Sequence, residues 1–315
     1  MKMKASMKTY VKAALSLIVS LCTLASVSCR REPLHEMADH IELRFDISLS
    51  EQDSAMWVKP TAPHLMKVIF YDTETRDRVA EMYCGPSGGS VYGLLPEHSY
   101  DMIAYNYDVE NTLLEHEENF NLMLAYTKSL PSTGDNTNII SEPEHLLVGR
   151  KTGIVIPFLA VEDTTYVIET HVSTILDSYS IRIDSIKGLE NASSVDLYLT
   201  GHSRSNTVGP DLRSDVSSTL HIGTCRPDPT YTYLYAEFCT FGKIAGETGL
   251  ARLSVVVTGA GGTTYYFEQD ITEQYLRPDH RLLLNIRGEI KPREQGGFMP
   301  RVDDWNPKIE DITLE

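Results

Sequence analysis

The sequence predicts an all-β protein built as two tandem antiparallel β-sandwiches. Apolar and polar residues alternate with period two, most cleanly where Ile41, Leu43, Phe45, Ile47 and Leu49 interleave with Glu42, Arg44, Asp46 and Ser48. That alternation describes a strand with one buried face. Strand-like runs recur at intervals of about ten to fifteen residues with turn residues between them, as in antiparallel sandwiches. No segment carries a convincing amphipathic helical pattern.

The chain begins with a leader. Lys2, Lys4, Lys8 and Lys12 form a basic head, and Ala13 to Ala25 is apolar apart from Ser16, Ser20 and Thr23. Ser26-Val27-Ser28 are small residues directly before Cys29. The apolar core is too short to span a bilayer, so residues 1–28 read as a secretory signal. A cysteine at the cleavage point suggests a bacterial lipoprotein signal, with Cys29 acylated as the first mature residue. Residues 29–40 then form a polar tether.

Removing the leader leaves 287 residues, enough for two domains with separate cores. Beyond residue 28 there are 24 basic residues against 44 acidic ones, a net charge of −20. Nucleic acid requires a basic footprint and is excluded as a partner. Electrostatic adhesion to anionic headgroups is excluded on the same ground. The membrane link is then covalent lipid, each buried methylene contributing about 0.8 kcal/mol.

The first set of strands occupies residues 41–161. After 41–49 come Leu65 to Asp72 and Val79 to Cys84, joined by the polar hairpin loop Thr73 to Asp77. Gly85-Pro86-Ser87-Gly88-Gly89 is a turn. Ser90 to Leu94 and Ser99 to Tyr107 follow. Phe120 to Tyr126 fits strand or helix, and Leu130 to Pro143 reads as a long loop. The second set occupies residues 162–315, the break falling near Val161-Glu162-Asp163. Its members are Tyr166 to Ile175, Tyr179 to Ile186, Val195 to Thr200, Thr219 to Gly223, Tyr231 to Phe241, Leu250 to Thr258, Thr263 to Gln269 and Leu282 to Ile290. Ile154 to Ala160 stands just before the break. After Lys291-Pro292 a tail runs to Ile312 and Leu314. It either closes its own domain as a last strand, the favoured reading, or adds to the open edge of another subunit.

Motifs with chemical potential resolve to plainer readings. Gly259 to Gly262 sits between two strands and lacks the Lys-Ser/Thr and helix of a phosphate loop, so it is a hairpin tip. Gly201-His202-Ser203-Arg204-Ser205 lacks the second glycine and following helix of a nucleophile elbow. No histidine has metal-site spacing, and Glu115-His116-Glu117-Glu118 reads as a solvated acidic face. The spacing of Cys225 and Cys239 permits a bridge, but buried idle thiols are preferred. No catalytic, cofactor-binding or metal residue is assigned, and the protein reads as a non-enzyme. The remaining candidate is Tyr231, Tyr233 and Tyr235, which share one face of a strand whose other face carries Leu234, Ala236 and Phe238. An outward aromatic row suits sugars or proteins, and cross-strand packing is the alternative.

Several ordered segments resemble a Bacteroidetes lipoprotein family, a domain of unknown function related to FimB-like fimbrial-anchor and fimbrillin-type proteins. They are Cys29-Arg30-Arg31-Glu32 with His40 to Asp46, Leu94 to Asp101 leading into Ala104 to Asp108, and Gly188 to Val195 leading into Leu199-Thr200-Gly201. Thr240-Phe241-Gly242, Asp270-Ile271-Thr272, Gly296-Gly297-Phe298 and Val302 to Trp305 complete the set. The resemblance implies transthyretin-like sandwiches on an outer-membrane lipid (palmitate) anchor and a part in fimbrial assembly or adhesion. It implies fimbrial subunits as partners by strand addition. Only Cys29 carries over as a functional position, and surface-exposed and periplasm-facing orientations both stay open. It also implies O-glycosylation patterns at Asp53-Ser54-Ala55, Asp163-Thr164-Thr165 and Asp184-Ser185-Ile186, of which Ser54 is the best placed. The rival reading is a glycan-binding surface lipoprotein of a saccharide-uptake system, using the tyrosine row.

Overall fold

The computed structural model describes residues 41–46, 56–131, 138–157, 165–244 and 250–292. The leader, Cys29, the tether, Ser54, Asp163, Thr164 and the tail from Phe298 lie outside the described residues. The first ten strands are β1 (Ile41–Asp46), β2 (Met66–Asp72), β3 (Arg78–Cys84), β4 (Gly89–Val91), β5 (Ser99–Asn106), β6 (Leu113–Glu115), β7 (Leu124–Tyr126), β8 (Ile139–Ser141), β9 (Leu147–Val155) and β10 (Tyr166–Thr174). The next ten are β11 (Asp177–Lys187), β12 (Ala192–Ser203), β13 (Ser205–Thr207), β14 (Leu212–Arg213), β15 (Ser217–Ile222), β16 (Arg226–Pro227), β17 (Tyr233–Thr240), β18 (Arg252–Gly259), β19 (Thr264–Asp270) and β20 (Arg281–Glu289). Among the described residues a single α-helical turn, α1 (Thr272–Tyr275), precedes β20. The protein is all-β and mainly antiparallel, as expected.

One sheet runs β3-β2-β5-β9-β10-β1-β4, antiparallel except for the parallel pairing of β1 with β10. Its middle strands are buried on both faces: six consecutive residues of β2 and seven of β5 are inaccessible. This explains why Val68-Ile69-Phe70-Tyr71 is a continuous apolar run without alternation. Met66, Val68, Phe70, Met102 and Ala104 pack one face with Ile154, Ile168 and Val172. Ile69, Tyr71, Ile103 and Tyr105 pack the other against Phe120, Met123, Val208 and Phe241.

The chain's later half forms a sandwich of β16-β17-β11-β20 on β19-β18-β12-β15-β8. Here the alternation read from the sequence is realised. β20 buries Leu282, Leu284 and Ile286, and β17 buries Leu234, Ala236 and Phe238. They meet Leu197, Leu199, Leu253, Val255 and Val257 of the facing sheet. Burying each such side chain contributes about 1.5–3 kcal/mol.

Several expectations change. The last strand of the first set is β9, reaching back to Leu147, where Ile154 to Ala160 was expected. It lies between β5 and β10, so buried Val148 and Gly149 meet neighbours on both sides and show no period. β10 belongs to the first sheet through β9 and β1, so the change of sheet falls between β10 and β11 and not at 161–163. Finally, the expected loop 130–143 contains β8, which pairs parallel to β15 in the later half. The expected acidic face starts at the last residue of β6, Glu115, and β6 joins β7, β13 and β14 in a small sheet drawn from both halves. Phe120 to Tyr126 resolves as a turn followed by β7.

Candidate binding surface

The outer face of the β17-β11-β20 sheet carries two of the three predicted tyrosines, Tyr233 and Tyr235. Arg182 lies in register between Tyr235 and Leu283, and Asp184 between Tyr233 and Asn285. The Arg182 guanidinium stands 3.9 Å from the Tyr233 ring centroid. It is fixed by contacts of 2.9–3.1 Å with the Asp184 carboxylate, two residues along the same strand face. Such a cation over a ring contributes about 0.5–1 kcal/mol at an exposed site. The Tyr235 hydroxyl donates to Glu237. Burial, then that bond, pushes the phenol up to about 12. Tyr233 and Tyr235 are half-buried with their polar partners supplied internally.

Tyr231 does not continue the row. β17 begins at Tyr233, and Tyr231 sits in the preceding turn at φ 56° with half its surface exposed. The turn is organised by Asp228. The backbone amides of Thr230, Thr232 and Tyr233 donate to its carboxylate at 3.0, 2.6 and 3.0 Å, and the Thr230 hydroxyl donates as well. Burial opposes the charge of Asp228, but these donors override it and hold the carboxyl below the ordinary range. Tyr231 is the tyrosine of the three that projects free of the sheet.

Beside it the sheet opens into a groove lined by Ser185, Lys187, Tyr231, Thr232, Arg287 and Glu289. Ser185 is exposed on a β-bulge between Asp184 and Ile186, at φ 75°. Its bulge displaces β11 from regular pairing with β20 at that end. Sequence reading missed the groove, because its walls come from three segments that only pairing brings together. The alternation of Arg287 with Ile286 and of Lys187 with Ile186 was the available signal.

The other expectations resolve locally. Gly259 to Gly262 is a hairpin tip closed by Gly259 N–H to Thr263 O at 2.8 Å. His202 is fully buried, which lowers its pKa to about 4, and the chain around it continues as β12 and β13 with no helix to form an elbow. The acidic stretch is not wholly solvated: Glu117 turns inward, accepting Lys67 Nζ at 2.6 Å and the Tyr105 hydroxyl. Cys84, Cys225 and Cys239 are free thiols. Among the described residues no three metal-ligating side chains converge.

A family profile described as "Domain of unknown function (DUF5119)" matches residues 29–223. Over 196 residues the chain is 24% identical to "Putative fimbrium anchoring subunit Fim4B" of Bacteroides ovatus, covering 61% of this chain and 56% of that relative's length. The fold matches the crystal structure of a "putative adhesin" from Bacteroides ovatus with a TM-score of 0.61 at 18% identity, covering 85% of this chain and 98% of the other. The fimbrial anchor protein Mfa2 from Porphyromonas gingivalis aligns with a TM-score of 0.48 at 14% identity, over 79% of this chain and 89% of the other.

Proposed function

We propose, on the premise that this chain belongs to the DUF5119 family, that it is a non-enzymatic lipoprotein of the cell envelope, anchor-like or accessory to a fimbrial polymer. The sequence relationship to a fimbrium anchoring subunit carries this reading. Acylated Cys29 moors the protein in the outer membrane, and the sandwiches hold other subunits without turnover. The edge of β20 supports attachment by strand addition. It pairs on one side with β11, and on the other the Leu283 amide is met by the Gln274 side chain at 2.8 Å. The tail beyond Pro292 lies outside the described residues; closing its own domain is its favoured role, and strand donation to a partner is the contrasting case.

Two experiments test the reading. Metabolic labelling with a palmitate analogue should mark the wild type and not Cys29→Ala; equal labelling overturns the anchor. Deleting 306–315 should abolish folding if the tail closes its own domain. Intact folding with lost capture of fimbrial subunits would assign the tail to strand exchange.

A second reading, glycan binding, is favoured by the single exposed tyrosine of the sheet's rim, Tyr231. Binding on a glycan array that Tyr231→Ala abolishes would support it.

A further inference from the structure

We propose that the groove beside Tyr231 is a binding site for a carboxylate-bearing saccharide. This rests on the glycan-binding reading and specifies its site and ligand class. Tyr231 offers an aromatic plane on a rigid turn, the arrangement that stacks on the apolar face of a sugar ring. Its backbone is held in the left-handed region, so the ring is presented by a conformation that the Asp228 bonds maintain.

The charge of the groove runs against that of the chain. The protein carries a formal net charge of −16, while the groove sets Lys187 and Arg287 against Glu289. Arg182, on the same sheet face, is already committed to Asp184. Among the described residues Lys187 and Arg287 have no ion-pair partner, and both are exposed. A guanidinium with open donors matches a carboxylate bidentately. Ser185 and Thr232 add hydroxyls at the rim. Gly288 lets the strand beneath the groove pass close over the core residue Phe267, whose ring a Cβ there would overlap.

An acidic peptide offers the same charge but needs different walls. Peptide and protein partners are held by apolar anchors in dry pockets. Here the exposed lining is hydroxyl and charge around a single aromatic ring, with two glycines and the buried Ile186 beneath, which suits a hydrated polyol.

The test uses the protein from Arg30 onward, without the lipid, titrated by calorimetry with an oligogalacturonate, sialyllactose, neutral maltohexaose and a poly-glutamate peptide. The expected result is binding of a carboxylated sugar at least 10-fold tighter than maltohexaose or the peptide, weakening as salt rises. Lys187→Ala/Arg287→Ala should remove that preference, and Tyr231→Ala should weaken binding about 10-fold, with circular dichroism unchanged. Binding of neutral sugar alone, or binding that survives the double substitution, overturns this inference and spares the glycan reading. No binding of any sugar overturns both. Preference for poly-glutamate assigns the groove to a protein partner and overturns the inference.

Discussion

The backbone amide of Cys239 donates to the Glu142 carboxylate at 3.0 Å, tying the segment after β8 to the end of β17 across 97 residues of sequence. His145, three residues on, places Nε2 at 3.3 Å from the Cys239 sulfur and 2.8 Å from the Val58 carbonyl. The junction therefore joins three stretches of chain around one carboxylate. Burial raises Glu142 from 4.5 to about 7, although the Cys239 amide pulls the other way.

That shift makes stability depend on pH with a definite sign. A carboxyl whose pKa is higher in the folded state binds protons more tightly there than when unfolded. Folding is thus favoured below pH 4.5, and the advantage is lost as pH rises through 7. Glu142→Gln should flatten this slope and stabilise the protein at pH 8 by on the order of 2 kcal/mol. Urea midpoints at pH 5 and pH 8 check it; an unchanged slope would remove Glu142 from the account.

Lys67 is almost fully buried, yet its ammonium contacts Glu117 at 2.6 Å and Glu81 at 3.5 Å. Desolvation pulls its pKa down, but the hydrogen bond and charge of Glu117 outweigh it and raise it. Glu117→Gln leaves a buried cation short of counter-charge and should cost about 3 kcal/mol. The paired change Lys67→Met/Glu117→Leu should recover most of that loss. Chemical denaturation of both variants compares them, and equal stability of Glu117→Gln with wild type would refute the assignment.

Gly188 precedes the short turn into β12 at φ 75°, where a Cβ would overlap the Ile290 carbonyl oxygen. Gly188→Ala combines a left-handed cost of about 1–2 kcal/mol with that collision. Thermal unfolding should show a destabilisation of at least this size. A neutral substitution would mean that the Ile290 strand end yields readily.

The three described cysteines differ in access. Burial pushes Cys225 up to about 12 and raises Cys239 well beyond the ordinary thiol range, while half-buried Cys84 on the edge strand β3 rises to about 11. Maleimide at pH 8 should label Cys84 slowly and the other two only after denaturant. Fast native labelling of Cys239 would contradict the packing around Phe241.

The later half of the protein was legible strand by strand. β18 and β20 bury one face throughout, and β11 and β17 over part of their length, so Ile181, Leu234, Val255 and Leu284 recur at period two and point to the same core. The candidate site was less legible. Tyr233 and Tyr235 share a face as their spacing requires, but a positive φ at Tyr231 takes it out of the strand, and the bulge at Ser185 is a similar local departure. No alternation announces either, because a single residue of positive φ leaves the apolar spacing around it unchanged.

The primary sequence determined the strand-rich character of the chain, the one-sided burial of its later strands and the turns at Gly85 to Gly89 and Gly259 to Gly262. These are local properties, written in the spacing of neighbouring residues. Only the tertiary structure decided that β10 joins β1 in the first sheet, that β8 crosses to β15, and that Glu142 meets Cys239. Such pairings are chosen by contacts between distant segments. Where both faces of a strand are covered, as in β2 and β5, burial erases the alternation that would have disclosed its place.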